Sequence, residues 1–141
     1  MNEFSQAPEA GFTLMEQGGT FMDHVGPVWS RADADGAVVL LRIGPQHTNP
    51  NASVHGGVLM TLIDVALGSA LQAAMQGQGA GHPVTMQLSC SMVGAARLGD
   101  LVRAEARVDR LARSVGFSSG RIEAGGRLVM TASAVFKLPS S

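Results

Sequence analysis

The stretch from Val54 to Met75 constrains this chain more than any other. Leu59, Met60, Leu62, Ile63, Val65, Ala66, Leu67, Ala70, Leu71 and Ala74 would occupy nearly the whole circumference of a helix. A helix that is apolar all round has to be enclosed, by protein or by lipid. Asp64 sits in its middle, and Gly68, Ser69 and Gln72 follow. The uninterrupted apolar runs fall far short of the ~20 residues that span a bilayer. We therefore read one long central helix wrapped by protein. The wrapping must come from a chain of 141 residues, enough for one domain.

The rest of the sequence supplies strands. Val25 to Ala32 reads as one, and Asp33-Ala34-Asp35-Gly36 turns it into a second, Ala37 to Ile43. Gly44 to Ser53 holds two Pro, two Asn and a His, the composition of a loop. After Pro83 come Val84 to Val93, Leu101 to Leu111, Ser114 to Glu123 and Leu128 to Leu138, the last two joined by Gly125-Gly126. Val102, Ala104, Ala106 and Val108 alternate with Arg103, Glu105, Arg107 and Asp109. Leu128, Met130, Ala132, Ala134 and Phe136 form a second apolar face. Gly77 to Gly81 reads as a flexible loop; its glycines follow a helix rather than a strand, so they are no dinucleotide fingerprint. Residues 1–20 are weakly patterned, with a short helix expected around Phe12, Leu14 and Met15 before Gly18-Gly19. The order β-β-α-β-β-β-β with an all-apolar helix is best satisfied by an antiparallel sheet curled round that helix. This is the hotdog fold, class α+β. Residues 21–138 form the domain, 1–20 an N-terminal segment and 139–141 a tail.

Composition removes several function classes. Hydrophobic residues are 45% and charged residues 15%, which excludes a disordered chain. A net charge of −1 speaks against nucleic-acid binding. One cysteine excludes an internal disulfide and a Cys-based zinc site, and His24, His47 and His82 lack ligand spacing, so no metal or other cofactor is expected. The first residues show no cationic start and no apolar run, so no signal peptide is expected and the default compartment is cytoplasmic. Residues 1–40 carry six acids and one base; residues 41–141 carry nine bases and five acids. Nine of the ten bases are Arg, which suits a modest anionic small ligand.

The chemistry concentrates between His47 and Asp64. Gly56-Gly57 at the helix start would leave bare backbone N–H groups, reinforced by the helix dipole. Such donors stabilise an oxyanion forming on a carbonyl. Asp64 is a carboxylate within an apolar helix and needs a partner or a task. Gly56 and Asp64 lie eight residues apart, about 12 Å along a helix. One reacting carbon cannot meet both within one helix. If they share a site, a second subunit supplies one of them, and a two-fold dimer would make two equivalent sites.

His47-Thr48-Asn49, His55-Gly56-Gly57 and an acid eight residues after the first glycine resemble the PaaI-like hotdog thioesterases. The resemblance extends over Pro83 to Leu88, Gly99-Asp100 and Gly125 to Val129, and so over roughly residues 21–138. It implies hydrolysis of acyl-coenzyme A by a homodimer or homotetramer. On that resemblance Asn49 and the Gly56 N–H polarise the thioester carbonyl. Asp64 from the other subunit activates water or attacks directly, and Thr85 orients that water or the carboxylate. His55 and Gly57 complete the helix start as substrate-binding candidates. Arg97 and Arg113 are the candidates for the coenzyme A phosphates. The chain departs from the family at Val93-Gly94-Ala95-Ala96-Arg97, where many relatives carry Arg-Pro. It departs again at Ser89-Cys90-Ser91-Met92, where aromatics are common. Both departures bear on the acyl group and the coenzyme A contacts. Met22, Met60, Met75, Met86 and Met92 are candidates for an adaptable acyl pocket or for ordinary core packing.

Two other functions share these features. Acyl-thioester hydratases and dehydratases need a working His base, and His55 is present. A non-catalytic acyl-CoA-binding regulator would need a DNA-binding segment for which this chain leaves no room.

Overall fold

The computed structural model describes residues 6–76 and 81–140. In chain order the elements are β1 (Thr13–Leu14), α1 (Phe21–Val25), β2 (Val28–Asp33), β3 (Gly36–Arg42), a 3-10 turn (Pro45–His47) and α2 (Gly56–Met75). Then come β4 (Val84–Met92), β5 (Leu101–Leu111), β6 (Val115–Ala124) and β7 (Arg127–Lys137). The strands form one antiparallel sheet in the order β1-β2-β3-β5-β6-β7-β4. One long helix against one antiparallel sheet is the expected hotdog architecture.

Leu and Ala dominate α2, and no proline interrupts it. Leu59, Leu62, Ile63, Ala66, Leu67, Ala70 and Leu71 repeat at three- and four-residue spacing and are buried. They pack on Val39, Leu41, Val102, Ala104, Ile122, Met130 and Phe136 from the inner faces of β3, β5, β6 and β7. Small residues let the helix come close. A Cβ on Gly116 would lie 2.6 Å from a Leu71 methyl.

The enclosure is one-sided, which the sequence does not reveal. Met60 is 39% exposed, Gln72 is exposed, and Asp64 and Gly68 are half-buried. The strip Met60–Asp64–Gly68–Gln72 therefore runs along the side of α2 that the chain's own sheet covers least, met by Thr85 at Asp64 and by the Phe136 ring at Gly68. It lies toward β4, a nine-residue edge strand exposed along most of its length.

Three local expectations need correction. The segment around Phe12 to Met15 is not helical; Thr13 and Leu14 pair with Ser30 and Trp29 as a short edge strand. The strand expected from Val25 begins at Val28, because α1 occupies residues 21–25. Asp23 sets that helix by accepting hydrogen bonds from the Gln17 N–H (3.0 Å) and the Gly19 N–H (2.6 Å). α2 begins at Gly56, as the glycine pair leads one to expect, and the Val54 N–H is spent on the Ala96 carbonyl. Leu128 faces outward at 44% exposure, because Ile122 pairs with Met130 and Glu123 with Leu128, leaving Val129 as a bulge that turns inward instead. The hairpin turns at Ala34-Asp35 and Gly125-Gly126 are as read. The glycine-rich residues 77–80 lie outside the described residues.

Ser118 on β6 is 1% exposed, and its hydroxyl has no hydrogen-bond partner among the described residues. An unpaired buried hydroxyl costs roughly 1–3 kcal/mol. Ser118→Ala should therefore raise the unfolding midpoint by a few degrees in a thermal melt, for a gain of about 1 kcal/mol. A lower midpoint would mean that the hydroxyl has a partner.

Candidate active site

Asp64 sits two turns into α2 on the least-covered strip. The Thr85 hydroxyl donates to its Oδ1 at 2.6 Å, a charge-assisted distance. The sequence candidates Asp64 and Thr85 thus meet directly. A bulge makes this possible. In β4 the side chains of Leu88, Cys90 and Met92 share the face toward α2 by simple alternation. That alternation alone would turn Thr85 the other way. Thr85 pairs with Phe136 and Gln87 with Val135, so Met86 is the extra residue that restores Thr85 to the helix side.

The helix start is held by a connected loop. His47 is buried; its Nδ1 accepts the Gly44 N–H at 2.9 Å and its Nε2 donates to the Val25 carbonyl at 2.6 Å. The His55 N–H donates to the His47 carbonyl, and the Asn49 N–H to the Ser53 carbonyl, each at 2.8 Å. The Asn49 Oδ1 accepts from the N–H groups of Asn51 (2.9 Å) and Ser53 (3.3 Å). Only the carbonyl end of an amide can accept both, so the Nδ2 donor of Asn49 is turned outward.

The two glycines divide. The His55 Nδ1 accepts the Gly57 N–H at 2.9 Å, so His55 is the N-cap and Gly57 is not a bare donor. The Gly56 N–H has no acceptor among the described residues. Gly56 and Asn49 therefore each present an unspent N–H. The same cap uses the Nδ1 lone pair of His55, which leaves that ring without a free base nitrogen.

The two arginine candidates separate. Arg97 is exposed beside the loop, bridging Ser53 through the backbone, and its guanidinium has no ion-pair partner among the described residues. Arg113 lines a cleft with Met75, Leu111 and Leu138, at the other end of α2. From Gly56 to Met75 is on the order of 30 Å along the helix. Within one chain the two cannot serve one ligand head. A second cleft, of about 620 Å³, lies on the outer face of the sheet among Arg31, Asp33, Arg103, Glu105 and Arg121. It is across the sheet from Asp64, and its arginines Arg103 and Arg121 are paired with Glu105.

The methionines also sort by place. Met22 and Met75 are core residues, whereas Met60, Met86 and Met92 are exposed on the open side. Reading by residue type did not set Cys90 or Met92 apart; their even spacing with Leu88 was the available signal. Cys90 lies near Asp64: burial, and then the Asp64 charge, push its thiol up. Met92 lies over Gly56, with Cε and Sδ 3.1 and 3.2 Å from where a Cβ of that glycine would stand. Among the described residues no three His, Cys, Asp or Glu side chains converge as metal ligands.

With a carboxylate held by a hydroxyl, two unspent N–H donors and a helix start, the site suits attack on a carbonyl. Residues 51–131 match the thioesterase superfamily, a span that includes Gly56, Asp64 and Thr85. The chain is 40% identical over 130 residues to the candidate esterase PA0474 of Pseudomonas aeruginosa, covering 92% of this chain and 96% of that protein. In fold it is similar to a hypothetical thioesterase of Streptococcus pneumoniae solved with coenzyme A. There the TM-score is 0.71 at 22% identity, with 92% of this chain and 98% of that one covered. It is also similar to the PaaI protein from the phenylacetic acid degradation operon of E. coli. The TM-score is 0.65 at 24% identity, over 75% of this chain and 78% of that one.

The Cys90 thiol gives a direct probe of the site's charge. Its raised pKa predicts slow alkylation by iodoacetamide at pH 8, because little thiolate is present. Asp64→Asn removes the negative neighbour, so the rate-against-pH profile should move to lower pH. An unmoved profile, followed by mass spectrometry, would show that the carboxylate charge does not reach the thiol.

Proposed function

The chain belongs to the thioesterase superfamily, and we propose that it hydrolyses acyl-coenzyme A to the free acid and coenzyme A, without metal or bound cofactor, in the cytoplasm. The observation that carries this reading is the Thr85–Asp64 hydrogen bond, on a helix whose start, about 12 Å away, holds unspent donors. The solved streptococcal relative with coenzyme A supports the choice of thiol.

The Gly56 N–H and Asn49 Nδ2 take the thioester oxygen as negative charge develops on it. Thr85 holds Oδ1 of Asp64, and Oδ2 is left to act on water or on the carbonyl carbon. On the water route Asp64 takes a proton from the attacking water, the carbon–sulfur bond breaks, and that proton passes to the departing thiolate. On the direct route the thiolate is expelled as an acyl–Asp64 anhydride forms, and a water then cleaves the anhydride, giving the free acid, restoring the carboxylate and supplying the thiol's proton. Arg97, at the Gly56 end, faces the phosphates of coenzyme A. Hydration of an acyl thioester is disfavoured, because the His55 Nδ1 caps the helix and is no free base.

The same reading makes the enzyme a dimer, or a tetramer of such dimers. Gly56 and Asp64 stand about 12 Å apart on one straight helix, so each site takes Gly56 and Asn49 from one subunit and Asp64 of the partner subunit. The open edge of β4 and the least-covered strip of α2 are the surfaces that a second copy would cover.

Thiol release measured with a thiol-reactive dye over a panel of acyl-CoA substrates tests the activity. Chelator-sensitive activity, or no release from any member, would sink the reading. Asp64→Asn should lower kcat at least a hundredfold with substrate binding largely kept. Retention of more than about a tenth of kcat, under 1.4 kcal/mol, would remove Asp64 from the chemistry. Thr85→Ala should cost less, about tenfold, since water replaces part of an orienting hydroxyl.

Subunit mixing tests the shared site. Asp64→Asn and Asn49→Ala variants, each inactive, are combined and allowed to exchange. A mixed dimer has one site with both defects and one with neither, so up to half of wild-type activity should return. Exchange verified by mass spectrometry without recovered activity would show that Asn49 and Asp64 act from one chain.

A further inference from the structure

Gly56 has no side chain, and the space where one would begin is taken by Met92. Standard geometry puts the Met92 thioether within about 6 Å of the Gly56 nitrogen. Any carbonyl whose oxygen reaches that N–H therefore has Met92 as a neighbour of its substituents. Met92 is the last residue of β4, on the face toward α2, and is 48% exposed. Its chain is unbranched, with three rotatable bonds, so it can change rotamer without moving the strand. A wall of this kind can be displaced outward at low cost. A β-branched residue in the same place could not turn aside, because its χ1 is restricted.

We infer that Met92 is the movable wall beside the reacting carbonyl and that it admits acyl groups branched at the carbon next to that carbonyl. This rests on the proposed acyl-CoA hydrolysis and deepens it by naming the substrate class. With the acyl side of the carbonyl turned toward Met92, the thioether meets the α-carbon rather than the far end of the acyl chain, so Met92 selects on branching at that carbon and not on length. Ser89 and Ser91 lie on the opposite face of β4 by alternation and do not share this role.

The test compares isobutyryl-CoA with butyryl-CoA, which have the same number of acyl carbons and differ only in branching. The ratio of their kcat/KM values is measured in the wild type and in Met92→Ile, Met92→Leu and Met92→Ala. Using a ratio on one preparation separates specificity from loss of folded protein. The wild type should accept the branched acid within about threefold of the straight one. Met92→Ile should lower the ratio at least tenfold, Met92→Leu should lower it less, and Met92→Ala should leave it the same or raise it. A wild type that discriminates tenfold or more against isobutyryl-CoA overturns the proposal. So does an active Met92→Ile whose ratio is unchanged, since Met92 is then only a cover for the helix start. If Met92→Ile does not fold, Met92→Leu against Met92→Ala decides: equal ratios in those two overturn the proposal. A wild type that releases no thiol from either substrate, or from straight-chain substrates of other lengths, fails at the hydrolysis itself and not at Met92.

Discussion

The burial of one apolar helix by one curved sheet is the constraint on which the other features depend. α2 presents more apolar surface than a single sheet can cover, and burial of each large side chain contributes roughly 1.5–3 kcal/mol. The sheet takes the row from Leu59 to Leu71 and leaves the other side open. Asp64 lies on that open side, half-buried, neither lost in the core nor fully in water. A carboxylate there stays accessible to a reactant while its rotamer is held by Thr85. In the proposed hydrolysis, incomplete coverage of the helix is what leaves this carboxylate able to meet a reactant.

Most of the architecture is legible from local chemistry. Gly36, just after the Ala34-Asp35 turn, and Gly125-Gly126 all take positive φ, which marks both turns, and the Leu101–Leu111 strand shows its two faces in plain alternation. What escapes the sequence depends on non-local geometry. Bulges at Met86 and Val129 answer the curvature of the sheet around α2, and no local residue preference announces them. Each reverses the expected face of a neighbour, Thr85 in one case and Leu128 in the other. The start of β2 at Val28 departs from the sequence expectation for a different reason. Val25 looks like a strand residue, but the Asp23 carboxylate organises Gln17 and Gly19 into a helix start ahead of it.

The site is legible in a more divided way. Asp64 stands out because a charge in an apolar helix needs an explanation, whereas Thr85 comes only from the resemblance to known thioesterases. Arg97 and Arg113 look equivalent as isolated bases near strand ends. Topology separates them: β5 starts near the Gly56 end of α2 and finishes near Met75, so residues on either side of it lie at opposite ends of the molecule.

The spacing of Gly56 and Asp64 also keeps the site open. A carboxylate in the first turn of a helix caps the free N–H groups and lowers their capacity to bind another anion. His55 occupies that capping position and satisfies Gly57 alone. Asp64, two turns on, cannot fold back to reach Gly56, so the donor and the carboxylate of one chain never neutralise each other. The Asn49 amide is oriented for the same end by the loop, with its oxygen consumed at Asn51 and Ser53 and its nitrogen left over. In the proposed hydrolysis, a carbonyl oxygen reaching these donors would meet dipoles already aligned, with little reorganisation needed as its charge grows.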